Sequence, residues 1–455
     1  MRIPELLKEF APPTNLGKNA QDLMYIINNV AMTPNELDFV AKTLSKMIGK
    51  EETQPVATPV QQPVNQVSKP VAKPATPQKT PTNTLTPGIQ NQMKPLGTSK
   101  NMMGAEPEDS AIQEAKAIVG ANKQQILDFL KSAKDDEALA PLVYMLSLKK
   151  FKQITKKIVT SKFKFKADET LKAIDAKIDI LKDHVDVVTM FDFLNACLAG
   201  GVIDCDAMIA SPGVYIDLPL TDQKYRTIVD QLLQVNLERL GKGEIGLAFA
   251  GINALKVSSD INIGNTAIEV KASSGTDFFM KGNPGEGGFG NQIKAAKLFI
   301  TALNSVGGQY APSNKSKSGG IASLGIGNHK SIDLLFQKLG RESVIDLLVA
   351  VEKQICKAKT EVVDRHFEDI SDAVSESGSV DYQRLGYATA KINFDYYKEM
   401  SHHDGVLILN LNNLTSAYAP DADTFVSMMQ NGIIKQKFAI DFRDNGMGGI
   451  AYDAV

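Results

Sequence analysis

Three residues, Asp260, Glu269 and Lys271, are spaced so that a single hairpin would bring them together. The runs 260–263 and 266–271 are rich in β-branched side chains and flank Gly264-Asn265, a dipeptide suited to a two-residue turn. Counting outward from that turn pairs Ile263 with Thr266, Asn262 with Ala267, Ile261 with Ile268 and Asp260 with Glu269. Side chains alternate along a strand, so Lys271 stands on the face of Glu269 while Ile268 and Val270 point into a core. Two carboxylates directly opposed in an antiparallel pair repel each other. A divalent cation between them removes the repulsion, and oxygen-only donors suit Mg²⁺, with Mn²⁺ as a substitute. A lysine beside the ion can hold a water or hydroxide, or neutralise charge that builds on a phosphate under attack. That is the work of metal-assisted phosphodiester cleavage. The same residues also fit a surface hairpin in which Lys271 bridges the acids and no metal binds.

Asp260, followed by Glu269-Val270-Lys271 on the next strand, resembles the D…(D/E)xK signature of the PD-(D/E)xK nuclease superfamily. Glu244, in Gly241-Lys242-Gly243-Glu244, adds to the resemblance, because members often carry an acid on the helix before the first of these strands. The order GKGE, D, EVK is similar to nuclease-like proteins of tailed bacteriophages. The likeness covers residues 241–271, with Ser258-Ser259 where the proline of the family's name is expected. It implies a restriction-endonuclease-like mixed sheet flanked by helices, and a phage-encoded, Mg²⁺-dependent DNA endonuclease. Glu244, Asp260, Glu269 and Lys271 would be its catalytic residues, with Asp260 and Glu269 as metal ligands. The host cytoplasm or the virion would be its location. The alternative is a virion structural or interaction protein that keeps the nuclease fold as a scaffold. The intact acid, acid and lysine set favours the enzyme, because an unneutralised acid pair costs stability. By that reasoning, replacing either acid is expected to raise stability in metal-free buffer.

The elements that would position this site can be read from pattern and composition. The chain has 455 residues, 43% of them hydrophobic, which is enough for two or three domains with ample core. A net charge of −2 exerts no global pull on nucleic acid, so any DNA affinity must be local. Three widely spaced cysteines, Cys197, Cys205 and Cys356, point to a reducing compartment and no zinc ribbon. Residues 1–10 lack a signal-peptide core, and no apolar run approaches the roughly 20 residues of a membrane span. Four segments follow: a helical unit over 1–50, a linker over 51–109, a helical domain over 110–209 and an α/β nuclease-like domain over 220–455. The first contains a capping box, Thr33-Pro34-Asn35-Glu36, and is a candidate for docking a protein partner or its own chain. The second has nine prolines between Pro55 and Pro95 and no acid between Glu52 and Glu106, a composition expected to stay disordered.

Within the helical domain, residues 149–166 hold eight lysines interleaved with Phe151, Phe163 and Phe165. Lys156, Lys157, Lys162 and Lys164 could hold a nucleic-acid backbone, or the run could be a solvated helix face with its phenylalanines in the core. A helix is expected over 222–240, and Glu244 opens a short one after it. Residues 282–290 form a glycine-rich loop leading to a helix capped by Asn291, with Gln292, Lys294 and Lys297 as candidate DNA contacts. Residues 331–359 and 382–400 read as helices, 405–411 and 437–442 as strands. His402-His403-Asp404, at a helix end before a buried strand, reads as caps or surface groups rather than a metal site or general base.

Overall fold

The computed structural model describes residues 16–47, 120, 123–131, 136–238, 240–257, 261–273, 278–280, 288–307, 323–325, 330–436, 441–443 and 450–454. The 51–109 segment, Asp260 and residues 282–287 of the glycine-rich loop lie outside the described residues. The chain divides into two compact units, 1–143 and 144–455, and the protein is of mixed α/β class. Among the described residues no helix is long and apolar enough to cross a membrane.

In the first unit, helix α1 (Lys18–Asn29) buries Leu23, Ile26 and Ile27, and helix α2 (Pro34–Met47) buries Leu37, Val40 and Leu44. The start of α2 is the reciprocal capping box. Thr33 Oγ1 accepts from Glu36 N at 3.3 Å, and Glu36 Oε2 accepts from Thr33 N at 2.9 Å. The orphan N–H groups of α1 find a distant partner instead: the Asp136 carboxylate accepts from Asn19 N at 3.0 Å and Ala20 N at 2.9 Å.

Helices α3 (Ala140–Lys162), α4 (Ala167–Leu181) and α5 (Val187–Ala199) precede strand β1 (Ile203–Asp204), α6 (Cys205–Ala210), β2 (Ile216–Asp217) and α7 (Arg226–Leu233). The helix expected over 222–240 therefore stops early. Gly243 N donates to Leu233 O at 2.8 Å, and Leu237 and Leu240 exchange backbone hydrogen bonds, so tertiary partners replace the next helical turn. Next come α8 (Glu244–Ala250), β3 (Gly251–Ile252), β4 (Ala254–Lys256), β5 (Ile261–Ile263), β6 (Thr266–Ser273) and β7 (Phe278–Met280). Helix α9 (Gly288–Ser305) begins before Asn291, which sits in its first turn rather than capping it. After β8 (Ser323–Gly325), the helix read over 331–359 is two, α10 (Lys330–Leu339) and α11 (Arg341–Ile355), parted by Gly340 at φ 76°. Helices α12 (Glu361–Arg365), α13 (Phe367–Asp372) and α14 (Tyr382–Ser401) lead to β9 (Gly405–Asn410), β10 (Thr415–Ala419), α15 (Ala422–Gln430), β11 (Ile434–Gln436), β12 (Asp441–Arg443) and β13 (Ile450–Ala454).

A six-stranded mixed sheet, ordered β2-β10-β9-β6-β5-β4, forms the centre of the second unit. β4, β5 and β6 make an antiparallel meander, and β6 pairs parallel with β9 from Ile268↔Gly405 to Ser273↔Asn410. Beside β4, at the end of the sheet, Phe163 bridges Lys256 and Lys164 N donates to Lys256 O at 2.7 Å. One face of the sheet carries Val406 and Ile408 into a core shared with Phe394 and Tyr397 of α14 and Phe425 of α15. The other face carries Val270 and Leu409 against the Gly243 turn that starts α8. With both faces covered, β9 is buried along its whole length, which explains its unbroken apolar run.

Two glycines are required by this packing. Gly243 has φ 87°, and a Cβ there would lie 2.6 Å from Leu409 Cδ1. At Gly405, a Cβ would fall 2.5 Å from Tyr418 Oη and 2.7 Å from the Ala419 carbonyl oxygen. Gly405→Ala is therefore expected to lower the unfolding free energy by about 1–3 kcal/mol, the usual cost of overpacking. The urea midpoint of the variant measures it, and a midpoint equal to wild type would show that the β9–β10 pair gives way freely.

Candidate functional site

The hairpin forms in the register counted from its turn: Ile261↔Ile268, Asn262↔Ala267 and Ile263↔Thr266, with Gly264 at φ 58°. Glu269 and Lys271 share one face of β6, while Ile268 and Val270 are buried on the other. Lys271 Nζ donates to Glu269 Oε1 at 2.5 Å. Two residues far along the chain complete the cluster. Tyr397 Oη, from α14, donates to the same Glu269 oxygen at 2.7 Å and accepts from Lys271 Nζ at 3.2 Å. His403 Nε2 lies 2.8 Å from Glu269 Oε2.

The turn between α14 and β9 places that histidine. His402 caps the helix in the left-handed conformation, at φ 57°. Asp404 N donates to Ala267 O at 2.8 Å, and Ala267 N donates to Asp404 Oδ2 at 2.8 Å, tying the turn to β6. The reading of all three residues as caps or surface groups holds for His402 and Asp404 but not for His403, which is buried. Only a fold that returns α14 to β6 could reveal its partner.

Electrostatics favours the charged forms of the pair. Burial would push the Glu269 carboxyl up, but Lys271 and His403 outweigh it and hold the group below the usual carboxylate range. Burial also opposes the charge on Lys271, and Glu269 outweighs it, so the ammonium is held above its ordinary value. Burial, opposed by Lys271 and reinforced by Glu269, pushes the Tyr397 phenol up and keeps it a donor.

Glu244 does open α8, but its carboxylate is engaged elsewhere. Oε2 accepts from Lys256 Nζ at 2.6 Å, and Oε1 accepts from Gly241 N at 2.8 Å. Lys256 pairs with Ile261, and Ile261 with Ile268, so this ion pair is on the opposite face from Glu269 and Lys271. Burial pushes the Glu244 carboxyl up, against the pull of Lys256.

The lysine run on and just after α3 divides in two. Lys156, Lys157 and Lys164 are exposed, whereas Phe151 and Phe163 are buried. Lys162 is buried too, and its Nζ donates to the carbonyls of Gly200 at 2.8 Å and Gly251 at 2.7 Å. It thereby satisfies the C-terminus of α5 and is withdrawn from any surface patch. On α9, Lys294 and Lys297 are exposed, and the Gln292 side chain lies outside the described residues.

No family model matches the sequence, no curated protein matches it, and no solved structure matches the fold.

A divalent cation would find hard oxygen donors at Glu269, and the second carboxylate read from the sequence, Asp260, lies outside the described residues. Among the described residues no group of three His, Cys, Asp or Glu side chains could hold a metal ion. Of the two carboxylates that would hold Mg²⁺, only Glu269 is among the described residues, and Lys271 already neutralises it.

That pairing reverses the expectation drawn from acid repulsion at Glu269. Glu269→Gln leaves Lys271 without its counter-charge and is expected to destabilise metal-free protein by about 3 kcal/mol at pH 7. Because the folded carboxyl titrates below its unfolded value of about 4.3, its contribution is present above that pH and is lost as pH falls through the folded value. Chemical denaturation of both proteins from pH 7 to pH 3 should show the gap narrowing below pH ~4. A variant as stable as wild type at pH 7 would show that the pair contributes nothing.

Proposed function

We propose that this protein is a metal-dependent DNA endonuclease of the PD-(D/E)xK kind. The carrying observation is the pair Glu269 and Lys271 on one face of a central strand, in the hairpin register counted from Gly264-Asn265. The order of elements supports a restriction-endonuclease-like core: helix α8, the meander β4-β5-β6, intervening helices, then β9 parallel to β6. Glu269 and Asp260 would hold Mg²⁺, which when bound supplies a Lewis acid for the scissile phosphate. Lys271, kept charged by Glu269, would stabilise negative charge developing on the phosphate or hold the attacking water. Tyr397, a donor beside both, shares that polar surface. Lys164 adjoins the outer side of β4, three strand spacings and so roughly 14 Å across the sheet from β6, where a bound duplex could run on to α3.

One observation favours the scaffold reading, in which the fold serves a virion structural or interaction role. Both oxygens of Glu269 already have partners, and Glu244 is bound to Lys256, so the acids are neutralised without a metal.

Incubation with supercoiled, linear and branched DNA, in Mg²⁺, in Mn²⁺ and in chelator, separates the two readings. Cleavage is expected only with metal, and Asp260→Asn and Lys271→Ala should each reduce it at least about 100-fold while the protein stays folded. Wild-type rates in both variants, or no cleavage by the wild type, would leave the scaffold reading standing. For the exposed lysines, replacing Lys156, Lys157 and Lys164 with Gln should weaken duplex binding at low salt similarly across sequences. The salt slope should fall by roughly 0.9 for each phosphate that a lysine no longer neutralises. An unchanged slope in a fluorescence titration would mark them as a solvated helix face and shift DNA binding to Lys294 and Lys297.

A further inference from the structure

His366 stands where two short helices meet, outside the site described above. It ends α12, begins α13 and belongs to neither, with φ −108° and ψ 20°. Its side chain is 14% exposed and has a carboxylate at each ring nitrogen: Nδ1 lies 3.1 Å from Asp369 Oδ2 in α13, and Nε2 lies 2.9 Å from Asp395 Oδ2 in α14. An ionised carboxylate only accepts, and a neutral imidazole carries one N–H, so both contacts are hydrogen bonds only when the ring is doubly protonated. In the neutral ring one nitrogen turns a lone pair toward an anion.

The charges around the ring form an alternating chain. Lys391, Asp395 and Glu399 are spaced four apart on one face of α14. Arg365 of α12 bonds Glu399 and lies 4.0 Å from Asp395, and Lys391 joins Asp369 at 3.3 Å to Asp423 of α15 at 3.0 Å. From α11, Lys353 reaches Asp364 at 2.6 Å. Of these groups the imidazole is the one that ordinarily changes charge near neutral pH. Burial works against the imidazolium, and the bonds to Asp395 and Asp369 outweigh it and hold its pKa above the ordinary value. The other end of α13 is fastened independently, by Arg341 donating to Ser371 Oγ at 2.9 Å and to Val374 O at 3.2 Å. Asp369 also lines a groove of about 330 Å³ between α13, α14 and α15, so its hold on the ring bears on the shape of that groove.

We propose that His366 is a pH-sensitive clasp: carrying a proton on both nitrogens, it ties the α12–α13 joint to α14 through Asp369 and Asp395, and on losing one it releases the joint and the Asp369 wall of the groove. The clasp does not depend on the nuclease reading. Its stabilisation is fully present below the ordinary imidazole value of about 6.5 and is lost as pH rises through the higher folded value.

The test follows the full chain by NMR of labelled histidine and by amide exchange. The one of five histidine signals that disappears in His366→Gln is the ring in question. It should titrate above free histidine, and Asp395→Asn should bring it down. With the same midpoint, protection of the amides of residues 361–370, corrected for intrinsic rates, should fall by about 10-fold. His366→Arg, charged throughout, should keep that protection at high pH, and the gap in urea midpoint between wild type and His366→Gln should narrow from about pH 6 to about pH 9. A ring that titrates at or below free histidine, or protection that does not follow the ring, overturns the inference. So does a gap that stays constant with pH, the mark of a merely structural contact. Should His366→Gln not fold, the signal displaced by Asp369→Asn identifies the ring, and the wild-type titration and exchange decide by themselves.

Discussion

An ion pair on the fourth strand of a six-stranded sheet is the constraint that the second unit has to meet. Glu269 and Lys271 are 13% and 17% exposed, so each has lost most of its hydration, and removing either leaves the other charge undercompensated at a cost of about a few kcal/mol. Meeting that demand requires more than the pair. The second Glu269 oxygen needs a partner, which His403 provides, and the shared oxygen takes a further hydrogen bond from Tyr397. Both come from the end of α14, so this helix must close over the sheet with its C-terminus at β6. Gly405 lets the chain turn straight from that helix into β9 beneath Tyr418.

The sheet keeps its two buried ion pairs apart by using both faces. Glu269 and Lys271 face α14, and Glu244 and Lys256 face α8. A strand alternates its side chains, so separating charges in this way costs no extra chain: Ile268 and Val270 turn inward between the polar positions. Lys256 is fully buried, which a lysine tolerates only with a partner such as Glu244. The Gly-Lys-Gly-Glu segment thus does local structural work, with Gly243 fitting against Leu409 and Glu244 neutralising Lys256.

What could be read from the sequence was what short-range chemistry dictates. The Gly264-Asn265 turn fixes the hairpin register, and with it the shared face of Glu269 and Lys271, because a two-residue turn permits only one count. The Thr33 to Glu36 cap needs three residues and nothing else. Tyr397 and His403 were not legible, because they reach Glu269 only after more than a hundred intervening residues have folded, and Tyr396-Tyr397 reads simply as an apolar pair on an amphipathic helix. Lys256 was hidden by apolar neighbours in a strand pattern. The early end of α7 was hidden by a long-range hydrogen bond from Gly243, a donor that helical periodicity cannot reveal. Lys162 looked like its neighbours in a basic run, and only the arrival of the Gly200 and Gly251 carbonyls separates it from them.

The way the sheet ends at β4 bears on how copies of this chain behave together. An edge strand offers a row of backbone donors and acceptors, and here it also exposes Leu255, at 42%, with Val257 beside it at 48%. Such an edge invites a strand from another molecule and, through it, aggregation. The chain leaving α3 occupies that position first: Phe163 bridges Lys256, and Lys164 N takes the Lys256 carbonyl. A crossing of one or two residues is too short to extend the sheet, yet it fills the place where an intermolecular ladder would start, so the protein carries its own guard against edge-to-edge association.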